Sequence, residues 1–217
     1  MIEREQRDGV VILRLAKDKN LVDSEFLAAM NAELDRVEAD ADATGLIVTG
    51  NDKYFSNGFD LEFLGRLDRE QLPIFIRDAQ RLVARVLTFP MPTVAAVNGH
   101  AFGIAAMFAL AHDQRVMRDD RGWWCLPEID LGLPFTSFMT ALIRARLSDL
   151  TASQAILSGR RYTGDEAVAA GIAHASASED ALIDVAVAAA ASRVGKGREI
   201  TATLKRDLYA PVLDALH

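Results

Sequence analysis

Glu128 ends the run Trp123-Trp124-Cys125-Leu126-Pro127-Glu128 as a lone carboxylate behind apolar bulk. Desolvation in such surroundings raises a carboxylate above its ordinary value of ~4.3 and suits it to proton transfer near neutrality. Two other positions offer the complement, backbone donors for a developing negative charge. Phe59 follows the turn residues Asn57 and Gly58, and Ile104 follows Gly103 where a helical run begins. N–H groups held at turns and helix starts stabilise an oxygen that becomes anionic, and loss of one such donor typically costs about 100- to 1000-fold in rate. One base and two donors form a set suited to removing a proton beside a carbonyl. On local features alone a plainer reading of Glu128 stays open, that it caps the turn after Pro127.

These residues need strands and helices to bring them together. Ile2 to Glu5 and Val10 to Leu15 read as a hairpin around Asp8-Gly9. Phe26, Met30, Leu34 and Val37 form a helical stripe with Asp23 or Ser24 as its cap. Strands are expected at Leu46 to Thr49, Thr93 to Val97, Arg115 to Met117 and Trp123 to Leu126. Helices are expected from Leu72 to Val86, where Pro90 and Pro92 stop the pattern, and from Gly103 to Ala111. From Phe135 onward the pattern is helical throughout. Capping boxes are expected at Thr151 with Gln154 and Thr163 with Glu166, followed by helices over Leu182 to Val194 and Ile200 to Leu216. The whole reads as an α/β core, residues 1–134, with a helical segment, 135–217, packed on it or on a neighbouring subunit.

Composition narrows the function classes. The chain has 217 residues, half of them hydrophobic, enough for one substantial core. A formal charge of −7 argues against a nucleic-acid surface, and no apolar run nears the ~20 residues of a membrane helix. The first residues, MIEREQRDG, lack the apolar centre of a signal peptide, and the lone Cys125 cannot form an intramolecular disulfide, so a cytoplasmic setting is expected. The histidines are too scattered to suggest a metal site.

In this order and spacing, FSNGFDL (55–61), NGHA (98–101), the pair His112-Asp113, DRG (120–122) and WCLPEIDLGLPF (124–135) resemble the crotonase, or enoyl-CoA hydratase/isomerase, superfamily. The resemblance spans nearly the whole chain and is strongest to the short delta3-delta2-enoyl-CoA isomerases of the plant peroxisomal type. It implies an α/β spiral of β-β-α units closed by C-terminal helices, and a homotrimer or dimer of trimers. It also implies a coenzyme A thioester as substrate with no separate cofactor or metal, Glu128 as the catalytic base, and an oxyanion hole from the N–H groups of Phe59 and Ile104. Asn57, Gly58, Phe63, Phe102, Gly103, Trp124 and Phe135 are the expected substrate-binding residues, with Leu64, Trp123 and Phe138 as further apolar wall. Lys17, Lys19, Lys53, Lys205 and Arg206 are candidates for the CoA phosphates.

One departure matters. Hydratases of the superfamily carry a second carboxylate three residues past the hole donor on the same helix, and here that position is Met107. A single-base shift of a double bond from 3-enoyl-CoA to 2-enoyl-CoA therefore fits better than addition of water. Hydration through Asp60, Glu62 or Asp130 is the alternative, and a non-catalytic acyl-CoA binder is a third class. Asp60 and Glu62 also suit a helix N-terminus. His100 reads as a turn histidine bonded to backbone, His112-Asp113 as a structural helix end, and Cys125 as an inert buried thiol.

Overall fold

The computed structural model describes residues 2–192 and 195–216. Along the chain lie β1 (Ile2–Arg7), β2 (Val10–Leu15), α1 (Ser24–Ala39), β3 (Gly45–Thr49), β4 (Tyr54–Ser56), α2 (Leu61–Arg66) and α3 (Gln71–Leu87). Next come β5 (Thr93–Val97), β6 (His100–Phe102), α4 (Ile104–Ala111), β7 (Gln114–Arg118), β8 (Trp124–Cys125) and α5 (Glu128–Leu131). The remainder comprises α6 (Ser137–Arg146), α7 (Asp149–Ser158), α8 (Gly164–Ala169), β9 (Ala175–Ala177), α9 (Leu182–Ala191), α10 (Arg198–Leu208) and α11 (Ala210–Leu213).

Two sheets organise these elements. The larger runs β1-β2-β3-β5-β7-β9, and only its β1–β2 hairpin is antiparallel. The smaller runs β4-β6-β8, all parallel. Each pass of the chain therefore lays one strand in the large sheet, one in the small sheet, and then a helix. This β-β-α unit occurs three times, beginning at β3, β5 and β7.

Burial explains the strand sequences. Val11, Leu13 and Leu15 of β2 face a core shared with α1, α3, α4 and α6, whereas Val10 and Ile12 face a second core under α9. With both faces covered, such strands are continuously apolar rather than alternating. Helix α4 (IAAMFALA) is buried along its whole length, so its sequence lacks a polar face. Asp23 caps α1 by accepting from Phe26 N–H at 2.7 Å.

The segment after Phe135 is not helical throughout. β9 interrupts it and joins the large sheet beside β7, and α9 covers that sheet's outer face. A three-residue strand is too short to show a period against alanine-rich surroundings. The cap of α7 is Ser148, whose hydroxyl accepts from Thr151 N–H, while Thr151 donates its own hydroxyl to Ala170 O at 2.9 Å. The expected Thr151–Gln154 box is therefore absent, whereas the Thr163–Glu166 box is formed. The alanine-rich helix ends at Ala191 with Ser192 as its C-cap, and the last two residues of that expectation, Arg193 and Val194, lie outside the described residues. The last expected helix is two, α10 and α11, joined at Tyr209 ahead of Pro211.

Candidate active site

The C-terminal ends of the three small-sheet strands carry the candidate chemistry side by side. β4 leads through Asn57-Gly58 to Phe59, β6 leads through Gly103 to Ile104, and β8 leads through Leu126-Pro127 to Glu128. Parallel pairing brings these ends to one edge. Glu128 does not end a strand, as its apolar lead-in suggested. It is the first residue of the short helix α5, because Pro127 cannot extend the ladder and suits a helix start.

Two glycines permit the close approach. Gly58 has φ +84°, and a Cβ there would stand 2.6 Å from Phe102 O. Gly103 has φ +57°, and a Cβ there would stand 3.2 Å from Glu128 Oε1. An L side chain would be strained at either φ and would push the turns apart.

The backbone around the two donors is pinned while the donors themselves stay unused. Val22 N–H donates to Gly58 O at 2.9 Å and Asp60 N–H to Val22 O at 3.1 Å, so the bonds fall on either side of Phe59. Gly103 N–H donates to Cys125 O at 3.0 Å, and Ile104, as the first residue of α4, has no acceptor within its helix. Among the described residues neither Phe59 N–H nor Ile104 N–H has an intramolecular backbone acceptor.

Both residues and Glu128 line one cavity of about 360 Å³, together with Asn57, Gly58, Phe102 and Gly103. Glu128 is held there without a partner for Oε2, which is buried. Desolvation pushes its pKa up to about 7, against a smaller lowering by its own backbone N–H. A neutral acid is thereby favoured until near-neutral pH, and the ionised form is a strong base.

Three expected substrate contacts lie elsewhere. Trp124 is fully buried, donates its indole N–H to Ala106 O at 3.0 Å and meets Tyr162 edge-on, so it ties α4 to β8 from the core side. Phe135 borders a separate cleft with Leu72, Ile76 and Gln80 of α3. Phe63 packs edge-on against Phe75, which also contacts the Phe59 ring, and so backs the wall rather than forming it. Phe138 is likewise core. Sequence reasoning missed Leu21, Leu61, Pro127, Leu131 and Leu133, which do line the cavity. Leu131 and Leu133 carried no signal beyond following the carboxylate by three and five residues.

The other polar candidates separate cleanly. Asp60 lines the cavity but caps α2 by accepting from Phe63 N–H at 3.0 Å, and Asp130 abuts Gly159 rather than the cavity. Glu62 lines the cavity from its exposed side. Among the basic candidates Lys19 lines it too, whereas Lys17 pairs with Glu25 at 2.6 Å and Lys205 with Asp113 at 2.7 Å. Arg206 reaches the Thr203 hydroxyl.

The His100 ring is not bonded to backbone as expected. It sits on strand β6 among Tyr54, Phe102 and Trp123, with Nδ1 buried and unpartnered. Burial, then Arg161 and Arg121, lowers its pKa. His112 ends α4 fully buried, with burial lowering its pKa to about 4, so its neutral ring donates from Nδ1 to Phe108 O at 2.9 Å. Asp113 accepts from Thr93 N–H and Lys205. Both are structural. Burial also raises the Cys125 thiol to about 11, and Sγ donates to Gly159 O, which leaves it unreactive. Among the described residues no group of three His, Cys, Asp or Glu side chains could hold a metal ion.

The sequence profile of the family described as enoyl-CoA hydratase/isomerase matches residues 5–217. The chain belongs to the enoyl-CoA hydratase/isomerase family. It is 33% identical to enoyl-CoA delta isomerase 3 of Arabidopsis thaliana over 96% of this chain and 92% of that one. It is also 33% identical to a putative enoyl-CoA hydratase of Thermus thermophilus, over 92% of this chain and 79% of that one. Among solved structures, human mitochondrial delta3-delta2-enoyl-CoA isomerase superposes with TM-score 0.89 at 21% identity, covering 99% of this chain and 90% of that one. The spiral of β-β-α units is thus the crotonase fold. As a family member the protein is an enzyme of the acyl-CoA isomerase/hydratase type. No helix among the described residues is long and apolar enough to cross a membrane.

Proposed function

We propose that this enzyme is an acyl-CoA isomerase that moves the double bond of a 3-enoyl-CoA to the 2-position. The observation that carries the reading is the pairing of one desolvated carboxylate, Glu128, with two unused N–H groups in one cavity, where α4, the helix that begins at one of those donors, bears no acid. Ionised Glu128 takes a C2 proton, and the electron pair spreads through the diene to the thioester oxygen. Phe59 N–H and Ile104 N–H hold that oxyanion, and α4 adds the positive end of its dipole. Glu128 then returns the proton at C4, leaving the bond between C2 and C3. No cofactor is consumed.

Met107, fully buried where a second acid would stand, supports isomerisation over hydration. The identity to a protein named an enoyl-CoA delta isomerase points the same way. A hydratase reading has two observations in its favour, the equal identity to a protein named a putative enoyl-CoA hydratase and the presence of Glu62 at the cavity, where Asp60 is committed to capping and Asp130 is absent from the lining. The same proposal includes a cytoplasmic setting and a homotrimer. The latter is supported by the exposed row Ile200, Leu204 and Leu208 on α10. The test of the assigned base is Glu128→Gln, expected to reduce isomerase turnover about 100-fold or more while CoA-thioester affinity persists. Retention of a tenth of the activity, or more, contradicts the assignment.

A further inference from the structure

Ile104 faces two spaces. The residue, 4% exposed, lines both the cavity that holds Glu128 and a second pocket walled by buried residues. That inner pocket lies among β2, α1, α3 and α4, with Leu15, Phe26, Ala79, Leu82 and Phe108 in its walls. Ser56 is the single polar side chain lining it, and its hydroxyl is engaged, donating to Asn20 O at 2.6 Å and accepting from Gly58 N–H at 3.3 Å. The free room is about 10 Å³, the scale of one water, and a water there would find no open polar partner. The pocket therefore offers a water nothing to bond and suits hydrocarbon.

The catalytic cavity offers an acyl tail few enclosed directions. Of its aliphatic lining residues Leu61, Leu131 and Leu133 are each about half exposed, whereas Ile104 is buried. We infer that the Ile104 side chain is the floor of the acyl site, closing the catalytic cavity off from the inner apolar pocket and restricting the enzyme to short-chain enoyl-CoA thioesters. This rests on the acyl-CoA reading above. One residue then serves twice, its N–H on the thioester oxygen and its side chain as a stop for the tail. Truncating that side chain would join the two spaces, and apolar cavities opened by truncation remain dry and accept apolar ligands.

Calorimetric titration with saturated acyl-CoAs of four to twelve carbons tests this without needing turnover. The wild type should stop gaining affinity beyond about six carbons, and Ile104→Ala should raise the ratio of twelve-carbon to four-carbon affinity by about tenfold or more, the scale of one or more admitted methylenes. Adding Ala79→Leu, which fills the inner pocket alone, should remove that gain. If Ile104→Ala fails to fold, Ile104→Val carries the test with a smaller shift of the same sign. Steady affinity gains through twelve carbons in the wild type, equal effects of Ile104→Ala at every length, or a gain that survives Ala79→Leu would overturn the inference alone. Failure to bind any acyl-CoA would overturn the acyl-CoA reading, and this inference with it.

Discussion

The Cβ that Gly103 lacks would lie 3.2 Å from Oε1 of Glu128, so the turn that presents one proposed hole donor is also the wall against which the proposed base rests. Gly103→Ala should therefore do two kinds of damage. The left-handed φ of +57° would cost about 1–3 kcal/mol in stability, and the added methyl would displace the carboxylate from its position. Thermal unfolding and steady-state kinetics together check this. A variant less stable but fully active would mean that the Glu128 position is not set by this contact.

Glu128 ties activity and stability to pH in opposite directions. As a base it works when ionised, so kcat/KM should rise with pH and level off above about 7. For stability, the folded-state value of about 7 stands above the ordinary 4.5, so between these pH values the folded protein binds more protons than the unfolded chain. Stability is thus lost as pH rises through that window, by about 3 kcal/mol at most. Glu128→Gln should be more resistant to urea than the wild type at pH 8, with the difference gone by pH 4. Equal stability at both pH values would mean that the carboxylate is not desolvated.

Ile104→Pro removes the N–H at a helix position that tolerates proline, whereas Ile104→Val trims one methyl and keeps the donor. The first should lower turnover about 100- to 1000-fold with circular dichroism unchanged, and the second should leave turnover at its starting chain length nearly intact. Equal losses would assign Ile104 to packing alone.

Much of this site was legible in the sequence because its parts are backbone turns. Asn57-Gly58 and Gly103 announce positive φ, and Pro127-Glu128 announces a break after an apolar strand, so Phe59, Ile104 and Glu128 could be named before any geometry. The wall was harder to read. Trp124 and Phe102 are both aromatic and near these turns, yet they take opposite faces of the small sheet, one into the core and one onto the cavity. A strand of two or three residues shows too little alternation to say which face is which. The same shortness hid β4 and β6, whose pairing brings the two turns together, and β9, whose pairing returns the C-terminal segment to the large sheet.

The row Ile200, Leu204 and Leu208, each more than half exposed, recurs at every fourth residue along α10. That exposed apolar row is the basis for proposing a trimer of the 23.7 kDa chain in solution, in which it would be covered by a neighbouring subunit. Light scattering at micromolar concentration should give three times that mass, and Leu204→Glu should lower it. A monomeric wild type would remove the C-terminal helices from any role in assembly.

Product analysis on the wild type is the most direct test. Supplied with a short-chain 3-enoyl-CoA, the enzyme should produce the conjugated 2-enoyl-CoA, visible as rising absorbance of the conjugated thioester. Supplied with that 2-enoyl-CoA, it should form almost no 3-hydroxyacyl-CoA, because Met107 leaves Glu128 without a second acid on α4 to hold water. Met107→Glu should then gain measurable hydration. Efficient hydration by the wild type, with slow or absent isomerisation, would contradict the single-base account and place Glu62 as the second acid.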